Sequence, residues 1–209
     1  VEDIAPSAIK IGMLANKEVA MVVADALSRY NIPTILDPVM VSSSGHRLLS
    51  LDAQEVVKER LLPLSTLVTP NIPEMEALTA MSLTTAEEKL SAAQYLLSLG
   101  AQAVLLKGGH EEGDTKCDTL YQLDGSNITQ LHLSTPTVAT KNIHGTGCTL
   151  SSAIAAFMAR GLALREAVQE AKNYISEAIL SGADIAIGNG FGPVNHLFNP
   201  LPMQVYEER

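Results

Sequence analysis

Short apolar segments alternate along the chain with longer segments whose apolar residues recur at helical spacing. Residues 8–14, AIKIGML, form an apolar run without a helical period, which is typical of a buried strand. Residues 17–30 follow and place valines, alanines and a leucine on one helical face. The same alternation repeats as far as residue 107. The pattern predicts an α/β fold with a largely parallel sheet and helices on both faces.

Start and stop signals give the bounds of the later elements. Asp52 with Glu55, and Thr85 with Glu88, match the pattern in which a helix cap precedes a glutamate by three positions. Between residues 117 and 140, short β segments and the turn DGSN predict antiparallel strands. The other predicted elements are strands at 32–39, 66–70 and 102–107, and helices at 52–62, 73–80, 85–100, 146–160 and 165–181.

Composition and charge narrow the class of protein. The chain has 209 residues, 46% apolar and 18% charged, which fits one globular domain over 1–209. Its formal net charge is −9 and no cluster of lysine and arginine occurs, which argues against nucleic acid or an anionic membrane as a partner. No apolar run reaches the length of a membrane span. Cys117 and Cys148 make no disulfide framework, so a cytoplasmic location is expected.

Polar residues occur where the four predicted parallel strands end. In such sheets, ligands bind outside the carboxyl ends of the strands. Because these ends meet at one edge of the sheet, we expect a single site there. The residues at the four strand ends are Gly12 and Met13, then Asp37 and Val39, then Asn71 and Glu74, and finally Lys107 and Gly108.

The segment HGTGCT, residues 144–149, places two glycines directly before a helix of small residues. The unpaired N–H groups of a helix start, together with the helix dipole, favour an anion such as phosphate. We therefore predict that the backbone of Gly145, Thr146, Gly147 and Cys148 binds a phosphoryl group. The same field favours the thiolate form of a cysteine. Close packing of the helix against a strand would also explain the glycines, but the neighbouring strand-end residues favour the anion site.

These dispersed residues fit phosphoryl transfer, which depends on positioning and on neutralising charge. Lys107 is expected to contact nucleotide phosphates, and Gly108 leaves room for their approach. Asn71 and Glu74 are predicted to hold Mg²⁺, directly or through water, because this ion prefers oxygen ligands. Asp37 is predicted to support the water shell of the metal or to orient the acceptor. The sequence has no G-x-x-x-x-G-K-[ST], so a P-loop enzyme is excluded.

Six motifs carry a resemblance to a known family. They are KIGML, DPVMVSSSG, LLPLSTLVTPNIPEMEAL, VLLKGGH, KNIHGTGCTLSSAIAA and GNGFGPVNH, in this order. The set resembles the hydroxymethylpyrimidine/phosphomethylpyrimidine kinases of thiamin biosynthesis, which belong to the ribokinase-like superfamily. N-x-x-E is shared across that superfamily. The combination of KGGH with HGTGCTLS is more specific, because most of the superfamily has aspartate where this sequence has Cys148.

The resemblance implies a ribokinase-like fold, a homodimer and a kinase that uses MgATP twice. It first phosphorylates the alcohol of 4-amino-5-hydroxymethyl-2-methylpyrimidine and then phosphorylates the resulting monophosphate. The resemblance implies that Cys148 is the base for the attacking oxygen. The implied anion hole is Gly145, Thr146, Gly147 and Cys148. The implied phosphate contact is Lys107, the implied metal contacts are Asn71 and Glu74, and the implied pyrimidine pocket contains Met13 and Val39. We predict that Gly12, beside Met13, lines the same pocket.

The beginning of the chain departs from the family pattern. The sequence starts at Val1 and lacks the Gly-rich N-terminal segment of the family, so we expect a cleaved or truncated N-terminus. Without the strand in that segment, an apolar sheet edge is expected to be exposed.

Three other interpretations stay open. A pyridoxal kinase of the same cysteine-bearing type would share these motifs. A cysteine-nucleophile enzyme would need a base near Cys148, for which His144 is the candidate nearest in sequence. An inactive ATP-binding module is the third interpretation.

Several other residues receive structural interpretations. The five histidines lack the spacing of metal ligands, which argues against a zinc site. Cys117 is expected to be a small buried apolar residue. Asp118 fits a solvated strand start better than a site acid. Residues 42–49 are expected to form a mobile loop, because SSSGHRLL is rich in small and polar residues.

Overall fold

The computed structural model describes residues 1–40, 48–109, 113–125 and 127–202. It contains a six-stranded sheet whose strands lie side by side in the order of the sequence. The first four strands are parallel, and the last two add to them as an antiparallel hairpin. The strands are β1 (Ile9–Ile11), β2 (Thr34–Leu36), β3 (Leu67–Val68), β4 (Ala103–Leu106), β5 (Thr115–Asp124) and β6 (Asn127–Pro136).

Helices cover both faces of this sheet. They are α1 (Lys17–Leu27), α2 (Leu51–Val56), α3 (Ile72–Thr79), α4 (Ala86–Ser98), α5 (Thr146–Ala159) and α6 (Leu164–Gly182). Helix α2 continues as a π-helical turn, Val57–Leu61, and a 3-10 turn, Leu62–Leu64. Within the described residues, no helix is both long enough and apolar enough to span a bilayer.

Alternate residues of the inner strands belong to two separate cores. Leu36 and Leu106 pack in the core formed with α1 to α4, whereas Ile35 and Leu105 pack in the core formed with α5 and α6. Successive residues of a strand point to opposite faces, so a strand covered on both sides is apolar throughout. This double burial explains why the parallel strands appear in the sequence as continuous apolar runs.

The topology brings the carboxyl ends of β1 to β4 to one edge. Helices α1 to α4, which connect successive parallel strands, lie on one face of the sheet. Crossover connections between parallel strands are right-handed, so connections that add each new strand on the same side place their helices on the same face. The β5–β6 hairpin then ends the parallel part, and α5 crosses to the opposite face and packs against β1 and β2. The start of α5 thereby lies beside the strand ends, although it is distant from them in sequence.

The α/β class, the parallel strands and the antiparallel hairpin are confirmed, but the parallel strands are shorter than predicted. The second strand was predicted over 32–39, whereas the ladder covers Thr34–Leu36. Asp37 and Met40, which follow the ladder, are each 1% exposed. The apolar pattern continues past the ladder because the chain stays buried in the turn that leads to the site.

The two predicted helix caps have different outcomes. The Thr85–Glu88 pair forms a capping box at the start of α4, as predicted. The start at Asp52 is wrong, because Ser50 is the N-cap of α2 and Asp52 already lies within the helix. Glu55 instead forms an ion pair with Lys58 at 2.7 Å. Most of the predicted loop at 42–49, residues 42–47, lies outside the described residues, as does His110.

Candidate functional site

Asp37 is the centre of a polar cluster at the carboxyl edge of the sheet. Its Oδ1 accepts hydrogen bonds from Lys107 Nζ at 2.9 Å and from Thr69 Oγ1 at 3.2 Å. Its Oδ2 accepts a hydrogen bond from Ser151 Oγ at 3.0 Å, and Lys10 Nζ lies 3.9 Å from the same oxygen. These partners belong to β1, to the chain after β3 and β4, and to α5. One buried carboxylate therefore joins the strand ends to the start of α5.

Lys107, directly after β4, is the buried cation of the cluster. Its Nζ also lies 3.8 Å from Glu74 Oε2. Burial alone lowers the pKa of a lysine, but the carboxylates of Asp37 and Glu74 outweigh this effect, so the pKa of Lys107 is raised. A Cβ added at Gly147 would lie 3.3 Å from Lys107 Nζ, so the ammonium lies against the start of α5. The structure thus brings together the two predicted phosphate contacts.

Asn71 and Glu74 form the capping box of α3. Asn71 Oδ1 accepts a hydrogen bond from the Glu74 N–H, and Glu74 Oε2 accepts one from the Asn71 N–H, both at 2.8 Å. The backbone of Asn71 also forms an isolated parallel bridge with Lys107. Burial raises the pKa of Glu74, although the ammonium of Lys107 opposes the shift. The N-x-x-E motif is therefore a structural cap that also faces the site.

The cluster fits Mg²⁺ only in part. Carboxylate and amide oxygens are the ligands this ion prefers. However, Asp37 already accepts three hydrogen bonds and Asn71 Oδ1 caps α3. Within the described residues, no group of three or more His, Cys, Asp or Glu side chains is placed to hold a metal ion. Asn71 and Glu74 are the residues that would hold Mg²⁺ here, together with ligands from outside the chain, and this role stays a prediction.

Residues 145–148, which we call the anion loop, begin α5. Gly145 is the N-cap with a φ of +86°, in the left-handed region that favours glycine. The N–H and the hydroxyl of Thr146 both bond the Ile143 carbonyl, at 3.2 and 2.6 Å. The N–H groups of Gly147 and Cys148 find no acceptor within the described part of the chain. These two donors are what a helix N-terminus offers to an anion, whereas the N–H of Thr146 is already used.

Cys148 is exposed at the first turn of α5. The backbone N–H of His144 donates to the Gly192 carbonyl at 3.0 Å. Among the described residues, no hydrogen bond joins the His144 ring to Cys148, so the cysteine-nucleophile hypothesis lacks its paired base in this geometry. The role of Cys148 as the base of a kinase stays a prediction.

Asp118 is buried, contrary to the sequence-based interpretation as a solvated strand start. It is 4% exposed, and its Oδ1 accepts a hydrogen bond from the Gly108 N–H at 2.9 Å. Its Oδ2 pairs with Lys172 Nζ of α6 at 2.8 Å. Lys172 thus holds the Asp118 carboxylate in place, and the carboxylate fixes the turn after Lys107 through its hydrogen bond with Gly108. The sequence signal was Lys172 itself, a charged residue among the alanines and valines of the buried face of α6.

Asn142 holds a second glycine-containing segment beside the anion loop. Its Nδ2 donates to the carbonyl oxygens of Gly182 at 2.8 Å and Ile185 at 2.6 Å. A Cβ added at Gly192 would collide with Asn142 Oδ1, so only glycine permits this approach. The chain around Gly192 is thereby fixed to the segment that leads into α5.

Three residues of the cluster were not among the predicted site residues. Lys10 had a signal, because it is a charged residue inside an apolar strand, whereas Thr69 and Ser151 resemble any other polar residue. The predicted pocket residues Met13 and Val39 lie just beyond β1 and β2, where Met13 is 56% exposed and Val39 is half-buried. Their contact with an acceptor stays a prediction.

Comparisons with known proteins agree with this geometry. Residues 1–195 match the family described as phosphomethylpyrimidine kinase. The hydroxymethylpyrimidine/phosphomethylpyrimidine kinase of Rhizobium meliloti (strain 1021) is 42% identical over 195 residues, which are 93% of this chain and 72% of the relative.

Solved structures support the ribokinase-like fold. The phosphomethylpyrimidine kinase of Clostridium difficile 630 has a TM-score of 0.70 and 37% identity, over 85% of this chain and 71% of that chain. The pyridoxal kinase of Staphylococcus aureus in complex with AMP-PCP has a TM-score of 0.80 and 33% identity, over 92% of this chain and 68% of that chain. The chain therefore belongs to the phosphomethylpyrimidine kinase family of phosphotransferases.

Proposed function

We propose that this chain uses MgATP to phosphorylate 4-amino-5-hydroxymethyl-2-methylpyrimidine and then its monophosphate, a reaction pair of thiamin biosynthesis. The observation that carries the proposal is the position of Lys107. Its ammonium is 2.9 Å from Asp37 Oδ1 and lies against Gly147 of the anion loop. A fixed cation lies beside two N–H groups that have no acceptor in the described part of the chain, and this arrangement suits a phosphoryl group in transfer. The named activity of the relatives supports the choice of acceptor.

The proposed first step is attack by the alcohol oxygen of the acceptor on the γ-phosphorus of ATP. A new P–O bond forms, the bond to the oxygen between the β- and γ-phosphates breaks, and ADP leaves with the electron pair. The Cys148 thiolate accepts the proton of the alcohol. Lys107 binds the donor phosphates, and the N–H groups of Gly147 and Cys148 bind the oxygens of the moving group.

The other predicted residues have supporting roles in this proposal. Asn71 and Glu74 would hold Mg²⁺, directly or through water, and the ion would neutralise charge on the phosphates. Gly108 leaves room for the phosphates beside Lys107. Asp37 holds Lys107 in place and orients the acceptor. The acceptor ring lies against Gly12, Met13 and Val39.

An assay of ADP release with MgATP tests the proposal. The acceptors are the hydroxymethylpyrimidine, its monophosphate and pyridoxal, and mass spectrometry identifies the products. We expect both pyrimidine acceptors to drive ADP release and to yield the monophosphate and the diphosphate. A higher kcat/KM with pyridoxal than with the pyrimidine alcohol would overturn the choice of acceptor.

A pyridoxal kinase is the second candidate function. The observation in its favour is the higher TM-score to the Staphylococcus aureus pyridoxal kinase, 0.80 against 0.70 for the phosphomethylpyrimidine kinase of Clostridium difficile. In the same assay, this function requires pyridoxal-dependent ADP release and pyridoxal 5′-phosphate as the product. Binding of MgADP without turnover of any acceptor would instead support an ATP-binding module.

We also propose that the chain forms a homodimer, as the family resemblance implies. Val19 and Val22, one turn apart on α1, are 42% and 68% exposed. Uncovered apolar side chains of this kind are typical of a surface that is buried by a partner.

A further inference from the structure

Of the two lysines in the polar cluster, Lys10 has the weaker contact with Asp37. It is the middle residue of β1, and its side chain is 20% exposed. Within the described part of the chain, its one ion-pair contact is with Asp37 Oδ2, at 3.9 Å. This distance is too long for a hydrogen bond. Lys107 differs, because its ammonium forms a 2.9 Å hydrogen bond to Asp37 Oδ1.

The ammonium of Lys10 lies over Gly12, at the end of β1. A Cβ added at Gly12 would be 2.7 Å from Lys10 Nζ, so the absence of a side chain leaves the space that the ammonium occupies. The two oxygens of Asp37 separate the two lysines, with Oδ1 toward Lys107 and Oδ2 toward Lys10. Lys107 faces the proposed donor phosphates. Lys10 therefore lies on the side of Gly12, where we placed the acceptor.

We propose that Lys10 binds the phosphate of the monophosphate acceptor in the second phosphorylation. This inference rests on the proposed function. A phosphate monoester carries close to two negative charges at neutral pH and must approach the negative phosphates of ATP. A part-exposed ammonium that forms no hydrogen bond within the described residues offsets that repulsion and fixes the acceptor. The alcohol acceptor carries no such charge.

The two proposed steps also differ in their need for a base. In the second step, an ionised oxygen of the monophosphate attacks the γ-phosphorus of ATP. The new P–O bond forms as the bond to the bridging oxygen of ADP breaks, and ADP leaves with the electron pair. No proton is released from the attacking oxygen, so Cys148 has none to accept. Lys10 and Cys148 should therefore affect the two acceptors in opposite ways.

The test compares kcat/KM for the alcohol and for the monophosphate in four variants. We expect Lys10→Met to lower the monophosphate-to-alcohol ratio by about tenfold or more. Lys10→Arg keeps the cation and should recover most of the ratio. Lys17→Met removes the same charge from an exposed position at the start of α1 and should leave the ratio unchanged. Cys148→Ala should shift the ratio toward the monophosphate.

An equal loss on both acceptors in Lys10→Met would overturn the inference, because Lys10 would then act only through Asp37. If the wild-type chain turns over neither pyrimidine, the proposed function fails, and calorimetry decides on Lys10 separately. With MgADP present, the wild type should bind the monophosphate more tightly than the alcohol, and Lys10→Met should lose that preference. The same preference in both proteins would overturn the inference. Thermal unfolding verifies that each variant is folded.

Discussion

At the scale of single residues, Lys107 and the carboxylates of Asp37 and Glu74 depend on one another. Removing one partner of a buried ion pair leaves an uncompensated charge. We expect Lys107→Met to lower the free energy of unfolding by about 3 kcal/mol, measured by urea denaturation. Asp37→Asn combined with Lys107→Met should cost less than the sum of the two single changes. Additive losses would show that the 2.9 Å contact carries no coupling.

Glu74 gives a prediction about pH. Burial raises its pKa above the ordinary value of 4.5, so the folded state holds the proton more tightly than the unfolded chain does. Its contribution to stability is therefore complete below pH 4.5 and is lost as the pH rises through the raised pKa of the folded state. Glu74→Gln lacks this titration, so its free energy of unfolding relative to wild type should rise over that range.

Urea denaturation from about pH 4 to about pH 8 measures this difference for Glu74→Gln. Glu87→Gln, in the exposed first turn of α4, is the matched control for loss of one carboxylate. A difference that stays constant or falls with rising pH would contradict the raised pKa.

At the scale of elements, the Asp118–Lys172 pair connects β5 and α6 to the turn after β4. Asp118→Asn leaves the ammonium of Lys172 buried without its carboxylate. We expect this variant to lower the free energy of unfolding by about 3 kcal/mol or more. The double variant Asp118→Asn with Lys172→Met removes both charges and should recover part of the loss. Urea denaturation measures both, and a double variant less stable than Asp118→Asn would contradict the pairing.

The elements also show where sequence patterns succeed and fail. The short apolar runs gave the order and type of the parallel strands, because strands buried on both faces are apolar throughout. They did not give the ladder ends, because a buried turn has the same composition as a strand. The Asp52–Glu55 pattern failed because Ser50, two residues earlier, has the extended backbone that lets a helix begin. The spacing between Asp52 and Glu55 alone does not indicate which residue has that backbone conformation.

At the scale of the whole molecule, the strand-end rule anticipated most of the cluster. Asp37, Asn71, Glu74 and Lys107 meet at one sheet edge because parallel strands carry their carboxyl ends there. The rule could not identify Ser151, which reaches Asp37 from a helix 114 residues away in sequence. Nor could it identify the Asp118–Lys172 pair, which forms only after the hairpin and α6 have packed.

The proposed homodimer gives a prediction about mass. The chain has a mass of 22.2 kDa, so light scattering after gel filtration should give twice 22.2 kDa. Val22→Glu places a charge on the exposed apolar stripe of α1 and should shift the mass toward one chain. Glu18→Gln, an exposed change at the start of the same helix, is the control. A mass of 22.2 kDa for the wild-type chain at high concentration would contradict the dimer.

The arrangement around Asp37 has a consequence for the synthesis of the chain. Its hydrogen-bond partners Thr69, Lys107 and Ser151 follow it by 32, 70 and 114 residues. During translation, the carboxylate emerges before all three of these hydrogen-bond donors, and only the more distant Lys10 precedes it. The hydrogen bonds of Asp37 are therefore complete only when α5 has left the ribosome, because Ser151 is the last of its donors. A chain that ends before α5 is expected to keep this edge of the sheet hydrated and accessible to proteases. We therefore expect the chain to become resistant to degradation at the same stage of synthesis at which the site is completed.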